Sequence, residues 1–265
     1  MGLDFEKLRS LQDKLNQQFV KEIYDDLSEE FIHFTNSEIV NYHLNELKFT
    51  AKNKQSSRVL NSWINSDILF VQEEDKGKNR RFDRLEIIWL NIIIEARKFG
   101  IPLDALKQTR RDLLQSPIEN FSFLKFSVLG EILGISKVLM IYEDGYVNIL
   151  SVEAYSKTFK NAVFPAHLNF RLLDFIKTEF PNNSFHQDFL IQDVYNSEER
   201  MTLLYFLKTG DYKSIKIFLE EGDVRLVENS NLLIHNKKLL EVISSWTFKK
   251  IEINVNDELK LNINP

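Results

Sequence analysis

Cysteine is absent from the 265-residue chain. That excludes disulfides, thiolate nucleophiles and cysteine-ligated zinc. Glycine and proline are scarce, at 8 and 5 copies, so long structureless loops are not expected. No GxGxxG, Walker A or GxSxG stretch occurs, which leaves no glycine-built cradle for a nucleotide and no nucleophile elbow. No run reaches the roughly 18 uninterrupted apolar residues of a membrane span. The start, "MGLDFEKLRSLQDKLNQQF", mixes charge throughout and has no signal-peptide core. A cytoplasmic protein without a membrane partner is the simplest expectation.

What is present suits a globular protein of one long domain or two shorter ones. Apolar residues make up 43% and charged residues 28%, with 21 phenylalanines. The net charge of −5 argues against a generally basic coat. Its distribution says more. Residues 1–30 carry four basic and eight acidic side chains, residues 31–115 fourteen and eleven, and residues 116–265 sixteen and twenty. One positive segment lies between two negative ones. Within it, "GKNRRFDRLEII" holds Lys78, Arg80, Arg81 and Arg84.

Periodicity divides the chain into an N-terminal helix (1–30), a helical segment with a hairpin (31–117) and an α+β domain (118–265). Leu8, Leu11, Leu15, Phe19, Ile23 and Leu27 recur every three or four residues, predicting one helix over 3–30 with a narrow apolar stripe. The stripe packs either on its own chain or against a second copy. Two short helices follow within 36–69. Asn36 or Ser37 caps the first, and Ser56 or Ser57 the second, "SSRVLNSWINSDIL", with Val59, Leu60, Trp63 and Ile64 inward. In "LFVQEEDKGKNRRF", Leu69–Val71 and Arg80–Phe82 read as the strands of a hairpin turning at Gly77. Asp83 then caps a helix apolar on nearly every face, ended by Gly100, and Pro102 opens another that Pro117 stops.

Beyond residue 117 the character changes. Asp144-Gly145, Glu221-Gly222-Asp223 and Asn256-Asp257 mark three antiparallel hairpins. Helical runs separate them: "VEAYSKTFKN", "NFRLLDFIKTEF", "SEERMTLLYFLKTG" and "HNKKLLEVISSW". The fold class is therefore α+β.

The order helix, helix, basic hairpin, apolar helix, Gly, short helix resembles the winged helix-turn-helix DNA-binding domain of the MerR family. The residues that carry it are Arg80 and Arg81 in the wing, Phe82 at its aromatic place, Asp83 at the cap, Phe99-Gly100, and Leu103 to Lys107 in the closing helix. Upstream, Leu60, Trp63, Ile68 and Leu69 agree with the segment around the second helix. The likeness covers about 80 residues. Asn61 stands where the family usually has Arg, Ser62 replaces an aromatic and Asp67 replaces a Gly. Glu73, Glu74 and Asp75 put acid into the wing turn, and the usual dimerising coiled coil is missing.

The resemblance implies a sequence-specific protein whose partner is double-stranded DNA. The chemistry agrees: a helix in the major groove meets base edges, and cations nearby meet phosphates. The helix side supplies Lys52, Lys54, Ser56, Ser57, Arg58 and Asn61, where Arg58 suits guanine and Asn61 adenine. The hairpin side supplies Lys76, Lys78, Arg80, Arg81 and Arg84. The plain alternative pairs Arg80, Arg81 and Arg84 with Glu73, Glu74 and Asp75. A regulator of transcription is expected, with the C-terminal domain for effector sensing or oligomerisation. A plasmid, phage or mobile-element maintenance factor is the variant. A protein-interaction module reusing the fold is the reading from another class. A homodimer would form through residues 3–30 or the C-terminal domain.

Enzyme chemistry finds no foothold, and no cofactor or metal is expected. His33, His43, His167, His186 and His235 lack metal-ligand spacing. Glu29-Glu30, Glu198-Glu199 and Glu220-Glu221 are sequence neighbours whose carboxylates point apart. Lys213, Lys216, Lys249 and Lys250 form either a second basic patch or the lysines that guard edge strands.

Overall fold

The computed structural model describes residues 14, 18, 20–51, 54–72, 80–116, 118–161 and 165–265. The fold is α+β, and the chain forms two compact units. The first takes residues 1–28, 35–131 and 136–175; the second takes 29–34, 132–135 and 176–265. Residues 118–131 and 136–175 thus group with the first unit, although the change of character at 117 suggests otherwise. No helix among the described residues is long and apolar enough to cross a membrane.

The order begins with helical backbone at 20–25, which breaks at 26–28. The single helix expected over 3–30 is therefore interrupted; Leu8, Leu11, Leu15 and Phe19 lie outside the described residues. Then come α1 (Glu29–Asn36) and α2 (Glu38–Asn41). Helix α2 is capped by the Ser37 hydroxyl and runs on as a π turn, Tyr42–Glu46. Strand β1 (Phe49–Thr50), helix α3 (Ser57–Asn65), strand β2 (Arg81–Phe82), helix α4 (Arg84–Lys98) and helix α5 (Leu103–Leu114) follow.

Helix α4 forms as its sequence dictates. The Asp83 carboxylate accepts the Glu86 N–H at 2.8 Å, and ten of its residues are buried. Gly100 ends it in the left-handed region at φ +87°.

Helix α6 (Phe123–Ile132) is an element the sequence reading passes over. Its "FLKFSVLGEI" is buried along its whole length, Lys125, Ser127 and Glu131 included, and a helix buried on all sides carries no periodic stripe to detect. Strands β3 (Lys137–Tyr142), β4 (Val147–Ser151) and β5 (His167–Arg171) make an antiparallel sheet in the order β4-β3-β5, with α7 (Val152–Asn161) between β4 and β5. "NFRLLDFIKTEF" is a correction. Its first three residues belong to β5, and only Leu173–Ile176 (α8) and a 3-10 turn, Lys177–Glu179, are helical.

The β3–β4 turn explains why this sheet joins the first unit. Gly145 sits at φ +88°, and a Cβ there would lie 2.1 Å from the Ala105 carbonyl oxygen in α5. The Thr109 hydroxyl, also on α5, donates to the Gly145 carbonyl at 2.9 Å. Turn and helix are therefore in direct backbone contact, which only glycine permits.

The second unit holds α9 (Glu198–Thr209), α10 (Lys237–Ser244) and a four-stranded antiparallel sheet. Its strands are β6 (Ser214–Phe218), β7 (Val224–Val227), β8 (Lys250–Asn254) and β9 (Lys260–Ile263), in the order β7-β6-β8-β9. Ile215, Ile217, Ile251, Ile253 and Ile263 bury one face by simple alternation. Helix α9 is capped by Ser197 and ended by Gly210. Its Tyr205 meets Phe34 and Phe180 edge-on at 6.3 and 6.4 Å.

Candidate nucleic-acid interface

Helix α3 is amphipathic in the manner its sequence predicts. The Ser56 hydroxyl caps it by accepting the Val59 N–H at 3.3 Å. Leu60 and Trp63 are buried, while Ser57, Arg58, Asn61, Ser62 and Asn65 are exposed. Arg58, Asn61, Ser62 and Asn65 recur at helical spacing and so share one polar face.

Strand β2 does not pair with Leu69–Val71 as expected. Its partner is β1, in the register Phe49↔Phe82 and Thr50↔Arg81. Directly opposed residues of an antiparallel pair share a face. Phe82 is buried and the Thr50–Arg81 pair is exposed. Arg80, one residue earlier, is half-buried.

The 68–71 segment is not a strand because its hydrogen bonds go to α4. The Trp89 indole donates to the Ile68 carbonyl at 2.7 Å. The Phe70 N–H donates to Glu86 Oε2 at 3.2 Å. The other Glu86 oxygen is held by the Arg110 guanidinium from α5, and both side chains are almost wholly inaccessible. Burial pushes the Glu86 carboxyl up to about 7, against the opposing pull of Arg110. Burial also raises Asp83, which the Glu86 N–H, Lys48 and Arg110 partly offset. One buried ion pair thus ties the turn after α3 to both α4 and α5.

Asp67 adopts φ +55°. Asp is among the few side chains that tolerate this region. Its carboxylate also meets Lys107 Nζ at 2.9 Å.

The expected contact residues fare unequally. Ser57, Arg58, Asn61 and Arg81 are exposed, and neither Arg58, Arg80 nor Arg81 forms an ion pair with a described residue. Ser56 is exposed but spends its hydroxyl on the cap. Lys54 donates to Asn91 Oδ1 at 2.9 Å. Arg84 is a correction. It is only 4% exposed, with its guanidinium 4.7 Å over the Phe49 ring. A charge stacked in the core cannot meet a phosphate without leaving it. Lys52, Lys76 and Lys78 lie outside the described residues, as do Glu73, Glu74 and Asp75.

The sequence reading overlooks Glu86, Arg110 and Thr50. Glu86 was findable: a lone acid in an otherwise apolar, fully buried helix turn demands a partner. Thr50 was not, because a two-residue strand has no period.

The lysines of the second unit are a further correction. Strands β6 and β8 are interior, so these lysines guard no edge. Lys213 pairs with Asp257 at 2.5 Å and Lys250 with Glu252 at 2.7 Å. Lys216 stands opposite Glu252 across the β6–β8 ladder. Lys249 is exposed and forms no ion pair with a described residue. Among the described residues no group of three or more His, Asp or Glu has the arrangement to hold a metal ion.

The chain matches no protein-family model, no curated protein and no solved structure.

Proposed function

We propose that the protein binds double-stranded DNA sequence-specifically, as a cytoplasmic regulator of transcription similar to the MerR family. The observation that carries this reading is the polar face of α3. Arg58, Asn61 and Asn65 stand exposed on a helix whose other face is locked by Leu60 and Trp63. Beside the helix in sequence, Arg81 stands outward on a strand whose neighbour Phe82 is buried. Groove reading needs such side chains on a helix, with phosphate-binding cations on an adjacent rigid element. The left-handed turn kept at Asp67 supports the likeness at the position where the sequences differ.

In this reading Arg58 and Asn61 address base edges, while Arg80 and Arg81 hold the backbone with Lys52, Lys76 and Lys78. The protein pairs as a homodimer, and the C-terminal part senses an effector or oligomerises. With Arg84 withdrawn into the core, four to six phosphate contacts remain. The slope of log K against log salt is then about −3.6 to −5.4. Mobility shifts on random duplexes at two salt concentrations test this. Binding that weakens steeply with salt and is lost in Arg80→Glu/Arg81→Glu supports DNA recognition. Absence of binding at low salt supports a protein-interaction module instead.

A further inference from the structure

Strand β7 is an edge of the second unit's sheet, hydrogen-bonded to β6 alone. Where the β6–β7 hairpin opens, the Leu219 N–H donates to the Asp223 carbonyl at 2.8 Å. Successive residues of a strand direct their backbone groups to opposite sides, so Arg225 and Val227 also bond to β6. The N–H and C=O groups of Val224 and Leu226 therefore point away from the sheet, and among the described residues no backbone group pairs with them. The side chains of the same two residues lie on the face away from Ile215 and Ile217, Val224 opposite Phe218 and Leu226 opposite Lys216. They are 50% and 55% exposed. The far edge differs. Strand β9 presents exposed Lys260 and Asn262, and lysine is a residue that keeps an edge from pairing. Unpaired backbone groups and apolar side chains at the same positions make β7 a template for another strand.

We propose that β7 pairs antiparallel with β7 of a second copy of this chain, joining two four-stranded sheets into one across a two-fold axis. Charge complementarity points to a second copy. Run antiparallel, Asp223-Val224-Arg225 is complementary to itself: acid meets base at both ends and valine meets valine in the middle. The outward backbone groups allow two-fold registers centred on Val224, Arg225 or Leu226. Centred on Arg225, the pairing sets two arginines directly opposite, which destabilises it. Centred on Leu226, it sets Val224 against the partner's Glu228. Centred on Val224, it sets Asp223 against the partner's Arg225, and the reverse. Within one copy Arg225 already meets Asp223 at 2.8 Å, so each such pair becomes half of a four-charge cluster. Phe218, Val224, the partner's Val224 and the partner's Phe218 then form one apolar row across four strands. The proposal rests on the homodimer of the reading above and names its interface; it uses no DNA contact.

Light scattering on the full chain tests this. The unsubstituted protein has twice the 31.3 kDa mass of one chain. Val224→Lys, which sets two lysines opposite each other, raises the dimer dissociation constant about tenfold or more. Leu232→Lys, at a residue 66% exposed but off the strand, leaves the mass unchanged. Asp223→Arg and Arg225→Asp are each monomeric. Mixing these two restores a dimer, because the mixed pair again sets opposite charges against each other at both places. All four positions are exposed, so the variants fold, and circular dichroism verifies it. A monomeric unsubstituted protein, a dimer that survives Val224→Lys, or a mixture that stays monomeric overturns the proposal. Mobility shifts on duplex DNA report separately. A monomer that still binds removes this interface and leaves DNA recognition standing, whereas a β7 dimer that binds no duplex keeps the interface and removes DNA recognition.

Discussion

The two units handle charge in different ways. In the second, two lysines at the sheet pair with acids: Lys213 with Asp257 in the following turn, and Lys250 with Glu252 two residues along the same strand. In the first, one arginine is buried against a glutamate, another is stacked in the core, and Arg58, Arg80 and Arg81 form no ion pair with any described residue. The amino-acid types are alike in both places. Neighbours decide whether a cation is structural, neutralised or available to a partner.

The largest expected effect comes from breaking the buried pair. Arg110→Met leaves Glu86 buried without its partner and costs about 3–5 kcal/mol, against about 0–1 kcal/mol for Lys213→Ala at its exposed pair. Urea denaturation of the two variants checks the contrast; equal losses would erase the distinction between the units. Next comes Arg80→Glu/Arg81→Glu, which weakens duplex binding about a hundredfold at low salt. Lys216→Glu/Lys250→Glu leaves binding nearly unchanged, as fluorescence anisotropy will read. A smaller change follows Asn61→Ala, which relaxes preference at one base pair by about 1–3 kcal/mol without altering the salt slope.

Acidity sharpens the comparison further. Burial raises Glu86 and Glu131 each to about 7 from 4.5 and lowers Lys125 to about 8 from 10.5. The two carboxyls bind protons more tightly in the folded chain, so stability falls as pH rises from about 4.5 to 7. Lys125 binds its proton less tightly when folded, so stability recovers from about 8 to 10.5. Thermal melting should therefore pass through a minimum between these windows. Glu131→Gln, which can still accept the Lys137 N–H, flattens the acid limb, and Lys125→Met flattens the alkaline one. A profile unchanged by either substitution would contradict this account. The exposed pairs at Lys213 and Lys250 should contribute least of all.

Much of the fold was legible where a local rule suffices. Ser56 and Asp83 cap the helices they precede, Gly100 and Gly210 end theirs, and Gly145 and Gly222 turn hairpins. The polar face of α3 was legible too, because Leu60 and Trp63 fix which side turns inward. Two of the failures share one cause. Strand β2 was assigned to Leu69–Val71 because they are near in sequence, but pairing is decided by which backbone groups are free. Trp89 and Glu86 take those of Ile68 and Phe70, so β2 pairs with β1 instead. Arg84 was counted as available charge because a one-dimensional pattern cannot show that Phe49 lies beneath its guanidinium.

By itself the sequence determined the caps at Ser56 and Asp83, the turns at Gly145 and Gly222, the α+β class and the exposed character of Arg58, Asn61 and Arg81. Each follows from contacts within a few residues, where capping, period and φ preference act. Only the tertiary structure decided that Arg84 is core, that Glu86 and Arg110 lock the turn after α3, and that Lys213 is paired with Asp257. Those outcomes depend on residues brought together from distant positions in the chain, and no local pattern names the partner.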